Sequence, residues 1–196
     1  MIVMPANNTA GLVHYLAGAF PGSVGLMMSP DGWRRPPFYM PYALDNGAFT
    51  GFDPVAFMAL LQKPRLINHK PLFVAVPDRV SNAEETLRLW HVWHKKIHFR
   101  RAFVAQDGHE AVDVPHGADA VFVGGSTDWK IKNAHKFKGV TPWLHIGRVS
   151  TPNRLQWARD IGADSVDGTG FFRDGRRQLD LIEFITGTGQ LRIEGF

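Results

Sequence analysis

Ala102-Phe103-Val104-Ala105-Gln106-Asp107-Gly108 and then Ala120-Val121-Phe122-Val123-Gly124-Gly125-Ser126 put the same pattern twice within residues 102–126: a short apolar run that stops on polar residues and glycine. The runs are continuously apolar rather than alternating, which suits parallel strands buried on both faces. The same pattern recurs at Val24–Met28, Tyr42–Leu44, Leu72–Val76, Trp143–Ile146 and Ser165–Val166, nearly always closing on Gly, Asp or Pro. Seven strands are therefore expected, all of one kind.

Helix-start chemistry lies between them. Asp53-Pro54 and Thr151-Pro152 each place a capping side chain before a proline at the first helical position, where its missing N–H costs nothing. Ser81 and Glu84 have capping-box spacing, and the helix they open repeats apolar residues at Trp90, Trp93 and Ile97. Gly162 suits the residue just past a helix spanning 154–161. Amphipathic stretches at Thr9–Phe20 and Gln178–Ile185 open and close the chain.

Strand and helix in alternation predict a parallel α/β fold. No Gly-x-Gly-x-x-Gly or P-loop string follows the first run, which disfavours the dinucleotide and nucleoside-triphosphate folds. Eight βα units in 196 residues allow about 24 each, against about 31 in an ordinary barrel. The reading is a compact TIM-type β/α barrel, a single domain over 1–196, with an abbreviated crossover at His109–Asp119 and an incomplete barrel left open.

Composition narrows the chemistry. With 44% hydrophobic and 20% charged residues the chain is globular, and with no cysteine it has no disulfide, thiolate zinc site, iron–sulfur cluster or cysteine nucleophile. No apolar run approaches the roughly 18 residues of a membrane helix, and Met1–Asn8 lacks a signal-peptide pattern, so a cytoplasmic protein is expected. Twenty-two Lys and Arg against 18 Asp and Glu give +4, favouring a polyanionic partner. The cations cluster at Arg34-Arg35, at Lys95-Lys96 with Arg100-Arg101, at Lys130, Lys132, Lys136 and Lys138, and at Arg173, Arg176 and Arg177.

In parallel α/β folds the site forms at the C-terminal strand ends. Here those ends read Leu44-Asp45-Asn46-Gly47-Ala48-Phe49, Val76-Pro77-Asp78, Val104 to Gly108, Val123 to Ser126, His145-Ile146-Gly147-Arg148 and Val166-Asp167-Gly168-Thr169-Gly170. Asp and Gly are ordinary turn residues one by one. Together, Asp45, Asp78 and Asp167 are expected at one mouth, where mutual repulsion raises at least one pKa and creates a proton carrier near neutral pH. His91, His94 and His98 share a helix with Lys95 and Lys96 and have no nearby carboxylate, so no metal site is expected there. His145 reads as a buried hydrogen-bonded residue or a phosphate contact, and Trp90 and Trp93 as core.

These strand ends resemble the tRNA-guanine transglycosylase superfamily. Asp45-Asn46-Gly47-Ala48-Phe49 resembles its Asp-Ser-Gly-Gly-aromatic motif, Val104 to Gly108 its Val-Gln-Gly strand, and Gly124-Gly125 its Gly-Gly-Leu-Ala segment. Residues 145–170 are similar to its Met-Gly strand, Thr-Pro helix and nucleophilic Asp. The likeness spans residues 40–170 in order. The tRNA enzymes are longer and carry a cysteine-rich zinc subdomain that this chain cannot build, so the likeness runs more to the zinc-free DpdA-type DNA 7-deazaguanine transglycosylases of phages and bacterial DNA-modification systems.

That resemblance implies exchange of guanine in DNA for a 7-deazaguanine such as 7-cyano-7-deazaguanine, with no cofactor and in a host cytoplasm if phage-encoded. It implies Asp167 as the nucleophile on C1′ and Asp45 as general acid/base. Asp78 would accept from the guanine N1–H and amino group, Gln106 and the Gly125 N–H would donate to O6 beside Gly124, and Phe49 and Ile146 would sandwich the base. Arg148 and Arg173 are the candidates for phosphate, with the basic clusters holding flanking nucleotides of a single-stranded or flipped-out target. The alternatives are a tRNA-acting enzyme of the same chemistry, a noncatalytic nucleic-acid-binding barrel, and an unrelated barrel lyase or isomerase, whose usual strand-end lysine or metal set is missing. A homo-oligomer is left open.

Overall fold

A computed structural model describes residues 1–6, 11–172 and 175–187. Eight parallel strands form one sheet: β1 (Ile2–Met4), β2 (Leu26–Met28), β3 (Tyr42–Leu44), β4 (Val74–Ala75), β5 (Arg101–Ala105), β6 (Ala120–Val123), β7 (Leu144–Ile146) and β8 (Ser165–Asp167). β8 pairs with both β7 and β1, and β2 through β7 pair in sequence. The ring is completed by bridges from Val3 to Val24 and from Ala6 to Met27, with the Val3 N–H donating to Ser23 O at 2.9 Å and the Gly25 N–H to Val3 O at 3.0 Å. All seven expected strands are present. The eighth, β1, escaped the sequence reading because its three residues sit against a proline with no turn signal before them.

Six helices cover the strands among the described residues: α1 (Gly11–Ala19), α2 (Pro54–Ile67), α3 (Ala83–Trp93), α4 (Thr127–Asn133), α5 (Pro152–Asp160) and α6 (Gly175–Thr186). The barrel's economy lies in this outer layer. The β2–β3 and β5–β6 crossovers hold only single 3₁₀ turns, Pro30–Gly32 and Ala111–Asp113. No helix among the described residues is long and apolar enough to cross a membrane.

Asp53 caps α2 by accepting from the Val55 and Ala56 N–H groups, and Thr151 caps α5. α3 starts one residue later than the Ser81–Glu84 spacing predicts: Asn82 is its cap, accepting from the Glu85 N–H at 2.9 Å. Ser81 instead takes a left-handed conformation (φ 58°) and gives its N–H to Gln106 Oε1. Trp90, Trp93 and Ile97 are buried between α3 and the sheet, as their period requires.

The apolar residues divide into two cores by strand parity. Outward positions such as Val74, Phe103, Val121, Ile146 and Val166 meet the helices. Inward positions, Met4, Met27, Ala43, Phe73, Ala102 and Ala120, fill the barrel with Phe122 and Trp143 packed on them. The interior is thus plugged below, and a cavity can open only above.

Candidate active site

The inward parity that fills the barrel also delivers the site. Two residues beyond Ala43, Val104, Phe122, His145 and Ser165 come Asp45, Gln106, Gly124, Gly147 and Asp167, and all five line one cavity of about 450 Å³ at the C-terminal strand ends, together with Asp78. Gly124 is required there, since a Cβ would stand 2.7 Å from Gln106 Nε2. Asp45, Asp78 and Asp167 therefore share one mouth, as the strand-end reading expects.

The three carboxylates have different surroundings. Asp78 is buried, with Oδ1 accepting from Asn46 Nδ2 at 2.8 Å and Oδ2 from Gln106 Nε2 at 2.7 Å. Burial pushes its pKa up and those two amides pull against the shift. Asp167 is largely buried; its Oδ1 accepts from the Arg148 N–H at 3.1 Å and lies 3.1 Å from His145 Nε2. Behind it, Trp143 Nε1 donates to Ser165 Oγ, which lies 2.8 Å from His145 Nδ1. Because the indole only donates, the Ser165 hydroxyl proton is free to go to Nδ1, which places the imidazole proton on Nε2, facing the carboxylate. All of these contacts fall on Oδ1, so Oδ2 is the oxygen left for chemistry.

Asp45 carries the proton. Burial, then the charges of Asp167 and Asp78, raise its pKa to about 7, and the N–H groups of Gly47 and Asn46 offset only part of this. One group in the mouth is thus able to give and take a proton near neutral pH while Asp167 keeps an oxygen free.

Several expected residues are placed differently. Ile146 is a correction: it is fully buried, pairs with outward-facing Val166 and packs into the helix layer, so it does not flank the cavity. The inward residues of β6 and β7 are Phe122 and His145, and Phe122 forms the apolar wall that Ile146 was expected to make. Alternation along Leu144-His145-Ile146 is the signal that separates the two. Gly125 lines the mouth, but its N–H already donates to Gln106 Oε1 at 3.1 Å, leaving Gln106 Nε2 as the donor for a ligand carbonyl. Phe49 is exposed on the rim, and the Arg148 guanidinium stands 5.2 Å over its ring and donates to Gly125 O. Arg173 lies outside the described residues.

The basic clusters also divide. Lys95, Lys96 and Arg100 precede β5, and Lys138 reaches the Gly162 carbonyl and Asp164 just before β8, so they belong to the N-terminal end of the barrel. The six steps along the strand from Arg100 to Gln106 span roughly 20 Å, which puts that cluster out of reach of the mouth. Lys130 is not a surface cation at all, being buried beneath β7. Asn46, which the sequence reading gives no role of its own, is buried, donating to Val76 O and Asp78 and accepting from the Ala48 N–H.

No protein-family model matches this chain, and no curated protein matches it.

Proposed function

We propose that this barrel is a base-exchange enzyme that replaces guanine in DNA with a 7-deazaguanine. The observation that carries the reading is the division of labour in one cavity: a carboxylate with one oxygen anchored and one free, beside a second carboxylate whose pKa burial and two like charges raise to about 7. Retention at an anomeric carbon through two inversions needs that pair. Asp167 Oδ2 attacks C1′ as the C1′–N9 bond breaks, the bonding electrons leave with guanine, and Asp45 supplies the proton. In the return step the Asp45 carboxylate takes the N9 proton of the incoming 7-deazaguanine, whose nitrogen attacks C1′ and expels Asp167.

Asp78 and Gln106 support the choice of base. Each Asp78 oxygen keeps a second lone pair for the N1–H and amino group, and Gln106 Nε2 keeps a second hydrogen for O6. Adenine would leave these groups unpaired at about 1–3 kcal/mol each. Phe122 and Phe49 offer apolar surface to the ring, and Arg148 stands at the rim where a phosphate of an extruded nucleotide would pass.

The test is incubation of the protein with DNA, or with tRNA, and 7-cyano-7-deazaguanine, followed by nucleoside mass spectrometry. Incorporation into DNA is expected, and Asp167→Asn is expected to lower it by at least about 10³ while DNA retention changes little. Incorporation into tRNA alone would move the reading to RNA. Binding without exchange, unaffected by Asp167→Asn, would reduce the protein to a binding barrel.

A further inference from the structure

Lys130 is the one lysine or arginine that is buried among the described residues, and the chemistry above does not use it. It projects from α4 into the crevice beneath the end of β7, beside Ile146, Val149 and Trp157, and its ammonium donates to the Gly147 carbonyl. A methionine would fill such a crevice without removing a charge from water, so the ammonium costs stability that its position must repay in another way.

The Gly147 carbonyl and the Arg148 N–H belong to one planar peptide unit. One end of that plane is held by Lys130, and the other donates to Asp167 Oδ1. The unit leads into Arg148 in a left-handed conformation, φ 59°, which a non-glycine residue adopts only when its surroundings hold it. Holding comes from both sides: the Arg148 side chain returns across the cleft to Gly125 O while Lys130 crosses the other way to Gly147 O. The order ammonium, carbonyl, N–H, carboxylate also aligns the peptide dipole with both charges, strengthening each hydrogen bond.

We propose that Lys130 is a positioning residue for Asp167, acting through the Gly147–Arg148 peptide to fix Oδ1 and so present Oδ2 to the substrate. This rests on the reading of Asp167 as the nucleophile, although the positioning itself does not need that reading to be tested. Four charged groups face Lys130: Arg148 beyond β7 and Arg154 on α5 repel it, and Asp167 on β8 and Asp107 beyond β5 attract it. Burial, with the two arginines, brings its pKa down to about 8, so the device weakens as pH rises through that value.

Lys130→Met and Lys130→Arg, compared with the wild type by NMR, separate positioning from simple packing. In Lys130→Met the Arg148 amide proton is expected to move upfield and the Asp167 carboxyl ¹³C signal to shift at constant pH, with Lys130→Arg restoring part of both. In the exchange assay, kcat is expected to fall about tenfold to a hundredfold with KM within about threefold, and the alkaline limb near pH 8 to disappear. An unchanged Arg148 amide and Asp167 carboxyl signal in folded Lys130→Met would overturn the proposal. If the methionine variant does not fold, titration of the wild type from pH 6 to 10 decides: the Arg148 amide must move with the Lys130 ammonium, and an amide that ignores that titration refutes the link. Absence of exchange in the wild type would count against the functional reading alone, since the NMR arms do not depend on turnover.

Discussion

Replacing Asp45 with Asn is expected to stabilise the protein at alkaline pH and leave its stability unchanged near pH 4. The folded-state pKa of Asp45 is raised from 3.8 to about 7 by burial and by the charges of Asp167 and Asp78. Between those two values the folded chain holds a proton that the unfolded chain has released, so wild-type stability falls as pH rises through that window. About three pH units at 1.36 kcal/mol each set a ceiling of about 4 kcal/mol above pH 7. The carboxylate borders an open cavity whose water screens part of the charge, so roughly 2–3 kcal/mol is the expected gain. Asparagine keeps an Oδ1 for the Gly47 N–H, and it relieves Asp78 and Asp167 of a like charge, an effect of the same sign.

Urea unfolding of the wild type and Asp45→Asn at closely spaced pH values between 4 and 8.5 measures this directly. Groups that titrate identically in the two proteins cancel in the difference, which should grow from near zero to its full value across pH 4–7. A pH-independent difference, or an asparagine variant less stable at pH 8, would refute the idea that Asp45 is held protonated by its surroundings. The same variant loses the acid that base exchange needs, so stability and activity should move in opposite directions.

The other expectations concern the walls and the rim. Phe122→Ala should cost about 3 kcal/mol in urea unfolding, the low end for a phenylalanine because the ring packs at 4.5 Å between centroids on His145 but also faces the cavity, and it should weaken binding of the free base in calorimetry; an unchanged affinity would remove Phe122 from the site. Lys95→Glu with Lys96→Glu should alter DNA affinity less than about twofold, whereas Arg148→Ala should weaken it and lower the salt slope by about one, both read by fluorescence anisotropy across a salt series. The reverse ranking would place the nucleic acid at the opposite end of the barrel.

The barrel was legible because its strands announce themselves twice, by continuous apolar runs and by the polar or glycine residues that end them. β1 ends on Pro5 but has only three residues and no turn before it, too short a run to stand out. The capping of α2 and α5 could be read because Asp53 and Thr151 act on their own neighbours. The start of α3 could not, because the Ser81 N–H is claimed by Gln106, 25 residues away. The same limit governs the site. Asp45, Asp78 and Asp167 are readable as a set from strand-end position alone, whereas the resemblance that implies Ile146 as a base-flanking residue carries no information on strand parity. That His145 faces Asp167 while its neighbour faces α5 follows from the two-residue period and could have been read. That Lys130 is buried and Lys95 is remote depends on where a helix face and a strand's starting end fall in space, which charge clustering along the chain does not encode.

Three aspartates identical in the sequence become three different groups because donors from other strands are shared among them unequally. Asp78 takes two side-chain amides, Asp167 takes a peptide N–H and an imidazole, and Asp45 takes N–H groups of its own turn. The proton settles on Asp45 because burial and the charges of Asp167 and Asp78 outweigh its turn N–H groups, so it should move when a neighbouring charge is changed. Gln106→Met deletes the 2.7 Å bond to Asp78 Oδ2 and strips the Ser81 and Gly125 N–H groups of their acceptor, costing about 1–3 kcal/mol for each buried group left unpaired. With one amide gone, the pKa of Asp78 rises further. Asp78→Asn removes that charge outright, so in this second variant Asp45 should titrate below its wild-type value of about 7, and the exchange optimum should shift toward acid. Carboxyl ¹³C titration reads Asp78 in the first variant and Asp45 in the second. If Asp45 kept its midpoint in Asp78→Asn, the two carboxylates would not share an electrostatic site, and the division of labour drawn from this mouth would fail with it.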